Sequence, residues 1–222
     1  SCTGATASRN YMPGLTEAYY RKLPVLAITS TRGNHKIGHL IDQQIDRRNI
    51  PNDIAMESVT IPMVKDKEDE RYCEIEANKA ILALSLNGGG PVHINMYTKY
   101  SHDFSVSEIP HVNAIYRHTM LEKEWPSVPH DGIIISVGAH ANFTEELTNA
   151  VDAFCATYDA VVCCDHTSGY HGKYEVHAQL VCGQKQWHSS LCDANLCIHL
   201  GEVSGDQCCI RAKHTWRVSP DG

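Results

Sequence analysis

Short apolar runs alternate with amphipathic stretches along most of the chain. Residues 7–22 carry an amphipathic pattern that predicts a helix, and Leu23-Pro24 then introduces an apolar run over 25–28. The length and β-branched content of that run predict a buried parallel strand. A loop containing Arg32-Gly33-Asn34 and Gly38 follows, then a strand-like segment over 58–63. A mixed-charge stretch at 65–71 reads as a solvated face, and 72–86 as an amphipathic helix stopped by Asn87-Gly88-Gly89-Gly90. Pro91 opens a further apolar strand over 92–96.

Between 98 and 129 the period is lost, and Pro110, Pro126 and Pro129 interrupt a polar stretch. This segment reads as an interdomain connection with a short helix over 111–123. A second rhythm then sets in: strand 132–137, helix 143–158, strand 160–165, a helix near 174–180 and strand 196–200. Strand, helix and strand joined by short connections imply parallel pairing. The expected fold class is α/β, with two parallel-sheet, Rossmann-like domains at 1–104 and 130–222 joined by a linker at 105–129.

Composition narrows the function classes. With 42% hydrophobic and 20% charged residues, the chain is expected to bury a core in each half. A formal net charge of -7 and scattered basic residues argue against a nucleic-acid partner. No apolar run approaches the roughly 20 residues of a membrane span, so no membrane partner is expected. The ten cysteines, several inside apolar runs such as Val161-Val162-Cys163-Cys164, are read as free buried thiols of a cytoplasmic protein. Without an initiator Met at Ser1, and with a turn signal at Ser219-Pro220-Asp221-Gly222, both ends are expected to be cut from a longer protein.

Several motifs suggest chemistry. The small-residue turn at Thr3-Gly4-Ala5 can be a tight strand-to-helix turn, or one whose backbone N–H groups face a ligand. Asp165-His166-Thr167-Ser168-Gly169-Tyr170-His171-Gly172 follows a predicted strand, where α/β sheets place ligand-contacting loops. Ser168 lacks a Gly-x-Ser-x-Gly elbow, and adjacent residues seldom form a triad. Cys163 or Cys164 beside His166 would make a thiol nucleophile, although strand cysteines are usually inert packing. Fourteen histidines invite a metal site, but no Cys-x-x-Cys or His-Glu-x-x-His occurs, so none is assigned.

The order of elements adds a family signal. Gly4-Ala5-Thr6, then Gly14-Leu15-Thr16-Glu17-Ala18-Tyr19, then Leu23-Pro24-Val25-Leu26-Ala27-Ile28-Thr29 resembles the pyrimidine-binding domain of thiamine-diphosphate-dependent enzymes of the acetolactate synthase/2-oxo acid decarboxylase family. Ile37-Gly38, Gln43-Gln44, Ser58-Val59-Thr60-Ile61 and Gly90-Pro91-Val92-His93-Ile94 continue it over roughly residues 1–97. The second half, opening at Gly132-Ile133-Ile134-Ile135-Ser136-Val137-Gly138, resembles the middle domain of the same enzymes and carries no Gly-x-Gly-x-x-Gly.

The resemblance implies that thiamine diphosphate, with Mg2+, stabilises the carbanion formed when a small 2-oxo acid loses carbon dioxide. It places Gln43 near cofactor and substrate as a catalytic candidate, the alternative being a solvent-facing loop glutamine between Asp42 and Asp46. Thr3 and Gly4 become cofactor-binding candidates. The family's proton-relay glutamate is expected ahead of Ser1, and its Gly-Asp-Gly metal motif is not matched by Gly205-Asp206-Gln207. The chain is therefore expected to be inactive by itself, to bind no cofactor alone, and to need the remainder of its parent chain and a second subunit as partners. A non-catalytic assembly or regulatory homologue and an unrelated α/β small-ligand-binding protein stand as alternatives.

Overall fold

The computed structural model describes residues 1–2, 5–182, 184, 190–204 and 210–220, and for 179, 180 and 191 the backbone alone. Contacts divide the chain into two compact units, Ser1–Arg117 and His118–Gly222. Both are α/β, and both sheets are parallel, as the periodicity predicts.

In the first unit, β1 (Leu26–Thr31), β2 (Glu57–Ile61) and β3 (Val92–Tyr97) pair in the order β1-β3-β2. Register sets Thr29 opposite Asn95, and Val59 opposite Ile94. Cys2 adds an isolated parallel bridge to Thr29 on the outer edge of β1. Successive strand side chains point to opposite faces, so the alternation along β3 gives this sheet two unlike sides. Val59 and Ile94 pack with Ala80 of α3 (Lys67–Ala83). On the other side, Ala27 packs with Leu15 of α2 (Met12–Tyr20) and with Ile54, while Thr29, His93 and Asn95 are buried as polar neighbours.

Three local readings are revised. The amphipathic stretch at 7–22 is two helices, α1 (Ala5–Arg9) and α2, broken at Asn10-Tyr11. Pro13 lies in the first turn of α2, where its missing N–H costs nothing. The charged stretch at 65–71 is mostly the start of α3. Asp66 caps this helix by accepting from the N–H groups of Glu68 and Asp69, and three acidic residues in the first turn favour its positive end. The expected helix over 111–123 does not form. Residues 113–117 instead run extended along α3, where Glu74 accepts from both the backbone and side-chain N–H groups of Asn113. Asn78 donates to the Asn113 carbonyl and accepts from Ile115 N–H, and Arg117 donates to the Leu82 carbonyl. Side chains of α3 thus satisfy backbone groups that a helix would have paired internally.

The second unit has five strands in the order β6-β5-β4-β7-β8, where β4 is Ile133–Val137, β5 Ala160–Cys164, β6 Glu175–Val176, β7 Asp193–Leu200 and β8 Arg211–Val218. The predicted helix near 174–180 is the two-residue strand β6 followed by the short α5 (Gln179–Cys182), and β8 lacked an apolar run to announce it. As an edge strand with mostly exposed side chains, β8 needs no hydrophobic pattern. α4 (Glu145–Tyr158) starts at Thr144, whose hydroxyl accepts from Leu147 N–H, and ends at Asp159 in the left-handed region. Ile133, Ile135, Val137, Val162, Leu196 and Ile198 join Val151 and Cys155 of α4 in the main core, while Ile134, Cys163 and Ala194 form a smaller one on the opposite face. Each fully buried Ile or Leu contributes roughly 1.5–3 kcal/mol of transfer free energy. Among the described residues, no helix is long and apolar enough to cross a membrane.

Candidate functional site

The carboxyl ends of parallel strands leave backbone groups and loops facing outward, which is where α/β sheets hold ligands. In the first unit that position is occupied by the loop after β1. Its anchor is Gln44. The Gln44 Oε1 accepts from Arg32 N–H at 3.1 Å, its Nε2 donates to the Gly33 carbonyl at 3.3 Å, and both ends of the amide lie within 3.2 Å of Thr31 Oγ1. Gly33 has φ 108, and a Cβ there would come within 2.8 Å of the His35 ring, so this turn requires glycine. Arg32 also reaches Asp42 through two hydrogen bonds, at 2.9 and 3.2 Å.

Gln43 lies between these two anchored residues. Its side chain is exposed and its backbone is left-handed, with φ 57. The structure thus brings Gln43 to the carboxyl end of β1. Thr3 and Gly4 lie outside the described residues, but their neighbour Cys2 pairs with β1, and a cleft of about 420 Å3 opens there between Ser1, Cys2, Ile28, Ser30, Met96 and Thr98.

Beneath the loop runs a directional hydrogen-bond chain. Arg47 can only donate: Nε to Asn95 Oδ1 at 3.3 Å, Nη1 to Ser8 Oγ at 3.1 Å and Nη2 to the Ser30 carbonyl. Asn95 Oδ1 also accepts from the Thr29 hydroxyl at 3.0 Å. Thr29 Oγ1 therefore accepts from His93 Nε2, 2.8 Å away, which leaves His93 Nδ1 to accept from Ser58 Oγ at 2.9 Å. This assigns His93 the neutral Nε2–H tautomer. Burial, and secondarily the Arg47 charge, push its pKa down to about 4. A cavity of about 20 Å3, room for one water, adjoins Thr29, Arg47 and His93.

Sequence reasoning passed over His93, Asn95, Thr29 and Arg47. A signal was present: His93 and Asn95 sit two apart inside an apolar strand, so both must point to one face. Buried polar groups need partners, and Arg47, far along the chain, supplied one.

In the second unit, the loop after β5 is self-satisfied. The Ser168 hydroxyl donates to the Val137 carbonyl at 2.6 Å and accepts from Asp165 N–H at 2.7 Å, so it ties β4 to β5 and is not a nucleophile. Burial raises the Asp165 carboxyl, but hydrogen bonds from Ser204 and Thr167 outweigh it and hold the group below its ordinary value. Tyr170 is fully buried and donates to Asp152 at 2.6 Å. Gly169, at φ 65, passes close under the Ala141 carbonyl. Cys163 and Cys164 are buried, and burial pushes both thiols up to about 11, which removes the thiolate a nucleophile needs. Among the described residues, Cys2, Cys73, Cys155, Cys163, Cys164 and Cys197 are free thiols, the Cys182 and Cys192 sulfurs lie 3.7 Å apart, and no group of His, Cys, Asp or Glu is arranged to hold a metal ion.

No family model matches the chain. Curated relatives do. A 2-succinyl-5-enolpyruvyl-6-hydroxy-3-cyclohexene-1-carboxylate synthase of Bacteroides thetaiotaomicron is 34% identical over 118 residues, 53% of this chain and 21% of the relative. The chain resembles thiamine-diphosphate-dependent enzymes. Synthases of the same name from Bacteroides fragilis, 33% identical over 118 residues (53% of this chain, 21% of the relative), and from Desulfotalea psychrophila, 31% identical over 100 residues (43% and 18%), extend the similarity. The chain spans about a fifth of the length of these curated relatives.

Proposed function

We propose that this chain is part of a longer thiamine-diphosphate-dependent enzyme that decarboxylates a 2-oxo acid and joins the remaining acyl unit to a second substrate. The observation that carries this reading is the 34% identity over 118 residues to a synthase. The succinyl group in that synthase's name is a four-carbon acyl unit, such as remains when a dicarboxylic 2-oxo acid loses carbon dioxide. A dicarboxylic 2-oxo acid is accordingly the substrate class assigned to the longer protein.

The residues present fit one part of this task. A primary amide can both donate and accept, so the exposed Gln43 at the carboxyl end of β1 suits contact with a nitrogen heteroaromatic ring such as the cofactor's pyrimidine. Thiamine diphosphate, when bound, supplies the electron sink for decarboxylation. This chain's share is orientation: Gln44 and Asp42 fix the loop, and the Arg47 chain below stiffens the sheet that carries it. The diphosphate, Mg2+ and a proton-relay carboxylate are assigned to other parts of the longer protein and to a second subunit. The chain alone is then inactive.

Calorimetric titration of thiamine diphosphate with Mg2+ into this chain and into the longer protein tests the reading. Binding to the longer protein alone, with carbon dioxide released from a dicarboxylic 2-oxo acid, is the expected result. Binding to neither would remove the cofactor from the account, and binding to this chain by itself would overturn the division of labour.

A further inference from the structure

The backbone of Gln43 is left-handed, a conformation that a non-glycine residue holds only where its surroundings impose it. Its two chain neighbours impose it. On one side, the Asp42 carboxylate receives both outer nitrogens of Arg32. On the other, Gln44 spends both ends of its amide on the turn at the end of β1, holding Arg32 N–H, the Thr31 hydroxyl and the Gly33 carbonyl. Residues 42 and 44 thus return to the same three-residue turn, which leaves residue 43 as an outward apex.

The two braces are unequal. The Arg32–Asp42 pair is solvated, with the Asp42 side chain 70% exposed, and exposed pairs hold loosely. Gln44 is half-buried and bonds to backbone groups that cannot move without disturbing β1.

We infer that Gln44 is a positioning residue: it sets the backbone of Gln43 and so the place at which the Gln43 amide meets its ligand. This inference rests on the function proposed above. It also ranks the glutamine pair by role, with Gln43 touching the ligand and Gln44 touching only the turn.

The test uses Gln43→Ala, Gln44→Ala, the double variant and Gln44→Glu in the longer protein. Thiamine-diphosphate-dependent carbon dioxide release from a dicarboxylic 2-oxo acid is measured beside melting temperature and amide hydrogen exchange at Arg32. A misplacement of about 1 Å at a reacting site can cost roughly 100-fold, so Gln44→Ala is expected to lower kcat by roughly 10- to 100-fold. Arg32 N–H should lose protection while the melting temperature holds, and the double variant should be no slower than Gln43→Ala alone. Gln44→Glu keeps the acceptor for Arg32 N–H and should recover part of the rate, which separates positioning from folding if Gln44→Ala proves unstable.

Full activity in Gln44→Ala with a slow Gln43→Ala would overturn the positioning role and leave the site intact. Losses that simply multiply in the double variant would also overturn it, because the two residues would then act independently. Full activity in both single variants would instead sink the assignment of Gln43 itself.

Discussion

The two parallel sheets share one backbone arrangement and differ in what they bury. The sheet of the second unit is apolar on both faces: Ile133, Ile135 and Val137 point one way, and Ile134 and Cys163 the other. The sheet of the first unit is apolar on the α3 face, and on the other sets a small apolar cluster of Ala27, Leu15 and Ile54 beside Thr29, His93 and Asn95, buried under Arg47. Apolar burial is non-directional and tolerant of volume-conserving exchange. A hydrogen-bond chain depends on each member and has a fixed direction. The contrast suggests a division in which the second sheet supplies stability and the first supplies a shaped, polar support for the loop above it.

The strongest attack on the contrast is a cavity in the second sheet. Leu196→Ala should destabilise the second unit by about 2–5 kcal/mol, and hydrogen exchange resolved by peptide should confine the loss to residues 118–222. An equal loss of protection in the first unit would show that the two cores are not separate.

Acid should single out the first unit. Folded His93 titrates near 4 against an ordinary value of 6.5, so the folded state binds fewer protons in between. Stability is then complete above pH 6.5 and falls as pH drops through 4, by an amount on the order of 3 kcal/mol when complete. His93→Gln should flatten that dependence in denaturant titrations at pH 7 and pH 4.5.

Alkali should single out the second unit instead. Burial pushes Cys155, Cys163, Cys164 and Cys197 up to about 11 from an ordinary 9, and all four lie in the second unit. Unfolded thiols ionise first, so stability present below pH 9 is lost as pH rises towards 11, by about 1 kcal/mol per thiol at pH 10. Cys163→Ala would sharpen the point by reducing the alkaline slope.

The smallest expected effect concerns the strap on α3. Asn78→Ala removes two hydrogen bonds to the backbone of Asn113 and Ile115, both exposed, and should cost about 1 kcal/mol or less. Limited proteolysis should detect faster cleavage within 98–117 with little change in global stability.

Much of this architecture could be read from the chain alone. Apolar runs placed β1, β3, β4 and β5 to within a few residues, because a parallel strand buried on both faces is mostly apolar, although β1 and β3 also bury Thr29, Thr31, His93 and Asn95. The glycines after Leu86 marked a helix stop within a few residues of the end of α3, whereas the cap at Thr144 emerged only in the structure. Gln43 stood out as a candidate only through the family resemblance, and its neighbour Gln44 only as half of a pair. What the tertiary structure decided was which residues distant in sequence meet. Arg47 selects Asn95 and Ser8, residues 48 and 39 positions away, and Glu74 selects Asn113. It also decided that β8, exposed along most of its length, is a strand at all, since its pairing with β7 comes from backbone hydrogen bonds that no side-chain period records. Local sequence determines propensity and face; hydrogen-bond partners across long separations are chosen only when the chain has folded and a buried polar group must be satisfied.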